Sequence, residues 1–420
     1  MRVGIVGQGY VGLPLAVAAA GAGHDVIGID VWPERVDALN AGRSPVGDVS
    51  DDVLRRILDS GRYVASTDYS VVASCDVVVI CVPTPYHDDA PDLSHVEAAA
   101  EGIGDHLKPG ALVILESTTY PGTTEELVAP IIERRSGLVF GADFDLVFSP
   151  ERIDPGNERF GLHNTPKIVG GVTPAATERA AAFYGSFVET VVRVSMPRAA
   201  EMAKLLENTF RHINIALVNE LAILCQDLEI DVWEVIDAAA SKPFGFMPFY
   251  PGPGVGGHCI PVDPMYLSWR VRQLGGSAKF IELARDVNAA MPIYCVARIQ
   301  DLLNDEERAM KGSSILVVGV AYKADISDMR ESPALPLIEG LIDRGASVSF
   351  ADPHVERLTL LDGSVLNAVE ATPERVAAAD CVVIVTAHHE VDHDALADSA
   401  RLLFDTRNVV QRRADHIHRL

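Results

Sequence analysis

The sequence predicts an α/β protein with two parallel-sheet units at the ends of the chain and an all-helical region between them. Two patterns predict it. Short, continuously apolar runs alternate with helical patterns over roughly the first 190 residues, and again from about residue 314 onward. Unbroken apolarity, as opposed to strict alternation, marks strands buried on both faces, as in a parallel sheet. Between the two ends, 197–305 repeats alanine, leucine and charged residues at spacings of three and four, interrupted only by the Pro/Gly-rich stretch 243–264. A chain of 420 residues has room for two or three domains. The pattern places them at 1–196, 197–305 and 306–420.

In the first unit, residues 3–6, 25–29, 77–82 and 112–115 read as strands, and another apolar run ends at Phe148. In the last unit the strands are 315–318, 347–350, 381–385 and 402–404. The run from Asp76 to Pro85 and the run from Asp380 to His388 resemble each other, so the ends read as two similar units. Ser332 followed by Pro333 predicts an N-cap and the first residue of the next helix. On the helix beginning near 197, Lys204, Asn208 and Arg211 fall on one face, with Met202, Leu206, Ile213 and Leu217 on the other.

Composition narrows the function classes. Hydrophobic residues make up 48%, enough for a packed core. The formal charge of −24 argues against nucleic acid or an anionic membrane as partner. A phosphate-bearing ligand must therefore be held by local cations or helix N-termini. No apolar run reaches the roughly 18 residues of a membrane span. Met1 leads straight into a strand, which leaves no room for a signal peptide. The six cysteines, at 75, 81, 225, 259, 295 and 381, show no metal-ligand spacing. The expectation is a cytoplasmic protein without a metal centre.

Gly7-Gln-Gly9-Tyr10-Val11-Gly12 follows a strand and opens an Ala-rich helix. The first glycine permits the tight turn, the second lets a pyrophosphate approach the backbone, and the third lets helix pack on strand. Asp30 ends the second strand, where a carboxylate accepts from both ribose hydroxyls. That favours NAD over its 2′-phosphorylated form. Arg35, a turn further on, would contact the adenosine. Pro83 and Thr84 follow one strand, and Glu116-Ser117-Thr118 follow the next, at the carboxyl edge where ligands bind. Thr118 would reach the nicotinamide region or a catalytic water. Glu151, in Ser149-Pro-Glu-Arg152, would act as a base or orient water.

Cys259 lies in Pro251-Gly252-Pro-Gly-Val-Gly256-Gly-His-Cys259-Ile-Pro-Val-Asp263. A thiol among glycines, four residues before a carboxylate, is placed for chemistry more than for packing. Asp263 would accept a proton or anchor a hydrogen bond, and Lys204 would stabilise an oxyanion. A nucleophilic thiol and a hydride acceptor in one chain point to an aldehyde captured as a thiohemiacetal and oxidised to an acid. Tyr322-Lys323 and Arg330 follow a strand of the last unit, and Arg407 follows another. Their positive charge suggests a diphosphate site.

Together these motifs resemble the UDP-sugar 6-dehydrogenases, in order and over essentially the whole chain. The resemblance implies two successive NAD-dependent oxidations of a sugar C6 alcohol to a carboxylate. It implies two Rossmann-like domains and a central helical dimerisation region, hence a homodimer or larger homo-oligomer. Cys259 would form the thiohemiacetal and thioester, Lys204 and Asn208 would stabilise the oxyanion, Asp263 and Thr118 would handle a proton or water, and Glu151 would assist hydrolysis. The cofactor would meet Gly7, Gly9, Tyr10, Val11, Gly12, Asp30, Arg35, Pro83, Thr84, Ser117, Thr118 and Arg330. The UDP-sugar would meet Glu151, Arg152, Lys204, Asn208, Arg211, Phe249, Tyr250, Gly252, Gly256, Cys259, Tyr322, Lys323 and Arg407. The UDP-glucose branch usually carries Lys just before the Asp of the thiol motif, where this chain has Val262. That departure favours a UDP-hexosamine, with UDP-N-acetylglucosamine the first candidate and UDP-glucose or UDP-N-acetylmannosamine the alternatives. A single-step hydroxyacid dehydrogenase would lack both the thiol and the second sheet unit, and a non-catalytic dinucleotide sensor would not need Cys259, Lys204 and Asp263 together.

Overall fold

The computed structural model describes residues 1–153, 157, 159–257 and 259–420. Residues 154–156 and 158 of the Glu151 motif, and His258 of the thiol motif, lie outside the described residues. The chain forms two compact units, Met1–Glu207 with Trp269–Gly276, and Asn208–Ser268 with Ser277–Leu420. Among the described residues no helix is long and apolar enough to cross a membrane.

The first unit carries β1 (Arg2–Val6), β2 (Asp25–Ile29), β3 (Tyr63–Ser66), β4 (Val77–Ile80), a small hairpin of β5 (Tyr86–His87) and β6 (Ala90–Pro91), then β7 (Leu112–Leu115), β8 (Asp145–Phe148), β9 (Lys167–Gly171) and β10 (Val191–Val194). Its main sheet has the order β10-β9-β8-β7-β4-β1-β2-β3. Strands β1, β2, β3, β4, β7 and β8 are parallel, but β9 pairs antiparallel with β8, and β10 runs with β9. The continuous apolar runs follow from helices on both faces. Val77 and Val79 of β4 enter one core with Leu13 and Phe183, while Val78 and Ile80 enter the other with Ile103 and Ile132.

The second unit carries β11 (Ser314–Val318), β12 (Ser347–Ala351), a hairpin of β13 (Arg357–Thr359) and β14 (Val365–Asn367), then β15 (Cys381–Ile384), β16 (Leu403–Asp405) and β17 (Ile417–Arg419). The order of its main sheet is β12-β11-β15-β16-β17, all parallel. The middle of the chain is built of the helices Pro197–Asp227, Val232–Ala240, Asp263–Gln273 and Lys279–Asp305. Val218, Trp233, Cys295 and Ile299 from these helices share a core with Ile315 and Val317 of β11. From Asn208 on, the helical middle packs with the carboxyl-terminal sheet, apart from Trp269–Gly276.

One local expectation changes. Ser332 is not the N-cap: the helix runs Ala334–Asp343 and Pro333 holds that position. The Ser332 hydroxyl is drawn back to the end of β11, donating to the Val320 carbonyl at 2.7 Å. On the helix Pro197–Asp227 the apolar set opposite Asn208 is largely exposed, while Leu205, Val218 and Ala222 are buried. Met202, Leu206 and Leu217 are 40%, 59% and 50% accessible, whereas Asn208 is buried.

Candidate active site

The two units each present candidate groups at the carboxyl ends of parallel strands. In the first, β1 has β2 on one side and β4 on the other, which makes the end of β1 the point where strand order reverses. Gly7 has φ +90°, and a Cβ there would lie 2.5 Å from the Cys81 carbonyl oxygen. One on Gly12 would lie 1.8 Å from the Gly7 oxygen. Gly9 has nothing within 4 Å of its would-be Cβ. The outer glycines thus serve packing, and the middle one leaves backbone open to a ligand. The helix Gly12–Gly21 starts without a side-chain cap, so its first N–H groups suit an anion. Tyr10 is exposed and Val11 half-buried beside them.

Asp30 accepts from the Gln8 N–H at 2.9 Å and the Trp32 N–H at 3.1 Å, and pairs with Arg35 at 3.1 Å. Arg35 is therefore anchored to the Asp30 carboxylate. At the ends of β4 and β7, the Ser117 hydroxyl donates to the Val82 carbonyl at 2.8 Å. That bond ties the two strand ends together ahead of the exposed Pro83 and the half-buried Thr84, while Thr118 emerges half-buried just after. The loop beyond is pinned by buried Glu201, which accepts from the Gly122 and Thr124 N–H groups at 2.6 and 3.0 Å.

Further along the same edge lies a charge cluster. Lys167 Nζ is 3.0 Å from a carboxylate oxygen of Glu116 and 3.0 Å from one of Glu151. Tyr184 donates its hydroxyl to Glu116, and the Cys81 thiol lies 3.7 Å from Glu116. Glu151 Oε1 also accepts the N–H groups of Arg152 and Ile153 at 2.6 and 2.7 Å. Burial disfavours charge on both carboxyls but the outcomes differ. It raises Glu116 despite Lys167 beside it, whereas Lys167 and two backbone donors overcome it at Glu151 and hold that carboxyl below its ordinary range. Arg152 forks onto Glu207 and also donates to the Pro166 carbonyl at 2.6 Å, so its role in this unit is to brace the Glu151 turn.

In the second unit, Cys259 is exposed, while Cys75, Cys225, Cys295 and Cys381 are buried and Cys81 is half-buried. The Cys259 carbonyl accepts the Asp263 N–H at 2.8 Å, so the thiol residue precedes the helix Asp263–Gln273 by one turn. A helix N-terminus favours negative charge on a group placed there. Asp263 is buried and accepts from the Asn208 amide at 2.5 Å. Lys204 lies one turn before Asn208 on the same helix and is half-buried, whereas Arg211 is exposed.

The glycines of the thiol loop are packing glycines. A Cβ on Gly252 would lie 2.5 Å from an Arg407 guanidinium nitrogen, and one on Gly256 would lie 2.6 Å from the Tyr322 Cβ. Gly252 donates its N–H to Asn219 at 2.9 Å, Asn219 donates to Asn288 at 2.9 Å, and Asn288 to the His212 carbonyl at 3.3 Å. Gly257 donates to the Arg330 carbonyl at 3.0 Å. The loop thus gathers Gly252, Gly256, Tyr322 and Arg407. Tyr250 stacks on Trp233 and gives its hydroxyl to Asp237 at 2.8 Å, and Phe249 meets Phe210 edge-on. Arg330 pairs with Asp328 in its own turn.

The loop carrying Lys323 is anchored by His388. Its Nδ1 accepts the Asp325 N–H at 2.9 Å, which leaves Nε2 to donate to Asp352 at 3.0 Å. Asp325, His354 and His388 bring ligand-type atoms within 4.8 Å of one another. Both ring nitrogens of His388 are committed, however, which suits a hydrogen-bonded anchor better than a metal ligand. Sequence reasoning missed Lys167, Tyr184, Asn219, Asp352 and His388. The available signal for the first was a lysine opening the otherwise apolar run Lys167-Ile-Val-Gly-Gly.

The chain matches three family models: the NAD-binding domain of the UDP-glucose/GDP-mannose dehydrogenase family over residues 1–188, its central domain over 198–290 and its UDP-binding domain over 316–412. It is 38% identical over 419 residues to an NDP-N-acetyl-D-galactosaminuronic acid dehydrogenase of Ralstonia nicotianae, covering 97% of this chain and 96% of that protein. It is 36% identical to a UDP-N-acetyl-D-mannosamine dehydrogenase of Salmonella typhimurium, covering 97% and 98%. The structure of a UDP-N-acetyl-D-mannosamine dehydrogenase from Pyrococcus horikoshii superposes with a TM-score of 0.91 at 34% identity, covering 100% of this chain and 99% of that one. With a dinucleotide turn on one sheet and an exposed thiol loop on the other, and with these matches along its length, the chain belongs to the UDP-glucose/GDP-mannose dehydrogenase family and is an NAD-dependent UDP-sugar dehydrogenase.

Proposed function

We propose that this protein oxidises the C6 alcohol of a UDP-N-acetylhexosamine to the uronic acid, through a thiohemiacetal and a thioester on Cys259. The observation that carries the reading is the exposure of Cys259 one turn ahead of a helix whose first residue, Asp263, is bonded to Asn208.

The open backbone at Gly9, the uncapped helix start and Asp30 fit NAD: the turn would hold the pyrophosphate, and Asp30 the ribose hydroxyls. When bound, NAD supplies the hydride acceptor for both oxidations. Asp263 takes the C6 hydroxyl proton, directly or through water, as the alcohol becomes an aldehyde. The Cys259 thiolate then adds to that carbon, forming a C–S bond and an alkoxide that Lys204 and Asn208 stabilise. Covalent capture keeps the aldehyde from leaving and presents its remaining hydrogen for the second oxidation. Water attacks the resulting thioester, Glu151 accepts its proton, the C–S bond breaks and the thiolate is regenerated. Tyr322, Lys323 and Arg407 would hold the UDP, with Gly252 and Gly256 letting the thiol loop close on them.

Val262, and the acetamido sugars for which the relatives are named, support an N-acetylated substrate. The sequence puts UDP-N-acetylglucosamine first, and the relatives put UDP-N-acetylmannosamine beside it. We further propose a cytoplasmic homodimer. Phe210, Leu217 and Leu224 are each about half exposed at a spacing of seven on one helix, the pattern of a seam awaiting a partner helix. The deciding experiment counts NADH against UDP-N-acetylglucosamine, UDP-N-acetylmannosamine, UDP-N-acetylgalactosamine and UDP-glucose. Two NADH per sugar and an N-acetyl preference support the reading. One NADH per sugar would refute the mechanism, and a preference for UDP-glucose would refute the substrate.

A further inference from the structure

We propose that Lys167 is a positioning residue for thioester hydrolysis, holding the Glu151 carboxylate in the one orientation in which it can take a proton from the attacking water. This inference rests on the reading of Glu151 as that base.

The argument starts from strand direction. Strands β7 and β8 end at the carboxyl edge of the sheet, at Leu115 and Phe148, and Glu116 and Glu151 emerge just beyond. A parallel neighbour would bring its last residues to this edge. Strand β9 runs the other way, with Phe148 of β8 opposite Gly170. It therefore begins at this edge, and its first residue is Lys167. The reversal delivers an ammonium to the spot where two carboxylates converge, and Nζ bridges them at 3.0 Å each.

Burial makes this bridge consequential. The side chains of Lys167 and Glu116 are 3% and 0% exposed, while Glu151 is 15% exposed. A buried lysine is held charged only by partners, and a buried carboxylate ionises only if compensated. Glu116 is shielded by Tyr184 and Cys81. Of the two carboxylates, only Glu151 has access to water. Its Oε1 is fixed by two backbone N–H groups and its Oε2 by Lys167. The two carboxyls are driven apart in acidity, with Glu116 the more readily protonated, which is the usual mark of divided acid and base roles. In the step at issue, the water oxygen bonds to the thioester carbon, its proton passes to Glu151, and the C–S electron pair returns to the Cys259 sulfur.

The test compares wild-type, Lys167→Met and Lys167→Arg proteins by rapid-mixing NADH absorbance and intact mass. The substrate is whichever UDP-N-acetylhexosamine the wild type oxidises. Hydrolysis follows both hydride transfers, so a hydrolysis defect leaves them intact. Lys167→Met is expected to give a burst of two NADH per site and then turn over at least about 10-fold more slowly. Because the steps before hydrolysis are untouched, kcat/KM for NAD and sugar should stay within about twofold while KM falls with kcat, and the mass should show an acyl group on Cys259. Lys167→Arg should recover most of the rate. If Lys167→Met does not fold, Glu116→Gln/Lys167→Met, which removes one charge of each sign, is read in the same way. A folded variant with wild-type turnover, or one slowed without burst or acylated thiol, overturns the inference alone. A wild type that makes no NADH from any UDP-hexosamine or UDP-glucose overturns the functional reading and the inference together.

Discussion

A methyl group at residue 256 would sit 2.6 Å from the Tyr322 Cβ and 3.0 Å from the Glu331 carbonyl oxygen. Neither is the free end of a flexible side chain, so Gly256→Ala must push the thiol loop away from the loop that carries Lys323. Overpacking of this kind costs about 1–3 kcal/mol. We expect a lowered Tm and a raised KM for the UDP-sugar, with KM for NAD unchanged; a wild-type Tm with unchanged kinetics would show that the loop does not close there. Cys259→Ser should retain fold and NAD affinity but lose about three orders of magnitude in acid formation, since an alkoxide is a poor substitute for a thiolate. Product analysis by mass spectrometry checks it. The thiol was legible in the sequence because glycines, prolines and a carboxylate crowd around it. Lys167 and His388 were not, because each works through groups remote in sequence, brought to it by the order and direction of the strands.

The helices Pro197–Asp227 and Lys279–Asp305 are joined through His212, Asn219 and Asn288. His212 is 1% exposed and its Nε2 has no hydrogen-bond partner. Burial pushes it down to about 4 from an ordinary 6.5. The unfolded chain therefore binds a proton there that the folded protein refuses. Stability is full above about 6.5 and falls as pH drops toward 4, by roughly 3 kcal/mol from this residue. Urea midpoints at pH 7 and pH 5 should differ by less in His212→Phe than in wild type; equal differences would dismiss the assignment. Element type was readable from apolar pattern wherever both faces are buried. Strand β3, at the sheet margin, and the reversal of β9 escaped, since periodicity reports burial and carries no direction. The exposure of the apolar stripe of Pro197–Asp227 was not legible either, because amphipathicity does not say which side meets the core and which another chain.

At the scale of the whole molecule, Leu217→Asp/Leu224→Asp should lower the mass found by sedimentation to that of a single chain, without loss of helix. Two unaffected copies would show that the stripe serves something else. Both units use one plan, recognisable in the similarity of their β4 and β15 sequences: a glycine with φ near +90° ends the first strand, at Gly7 and Gly319, and an aspartate follows the second, at Asp30 and Asp352. Their surroundings part company. Asp30 receives Gln8, Trp32 and Arg35. Asp352 receives the N–H groups of Val320, Ala321, His354 and Val355 as well as His388. An acceptor so fully spoken for has no lone pair to spare for a sugar diol. The duplicate crevice is thereby closed to dinucleotides, and calorimetric titration with NAD should saturate at a single equivalent per polypeptide.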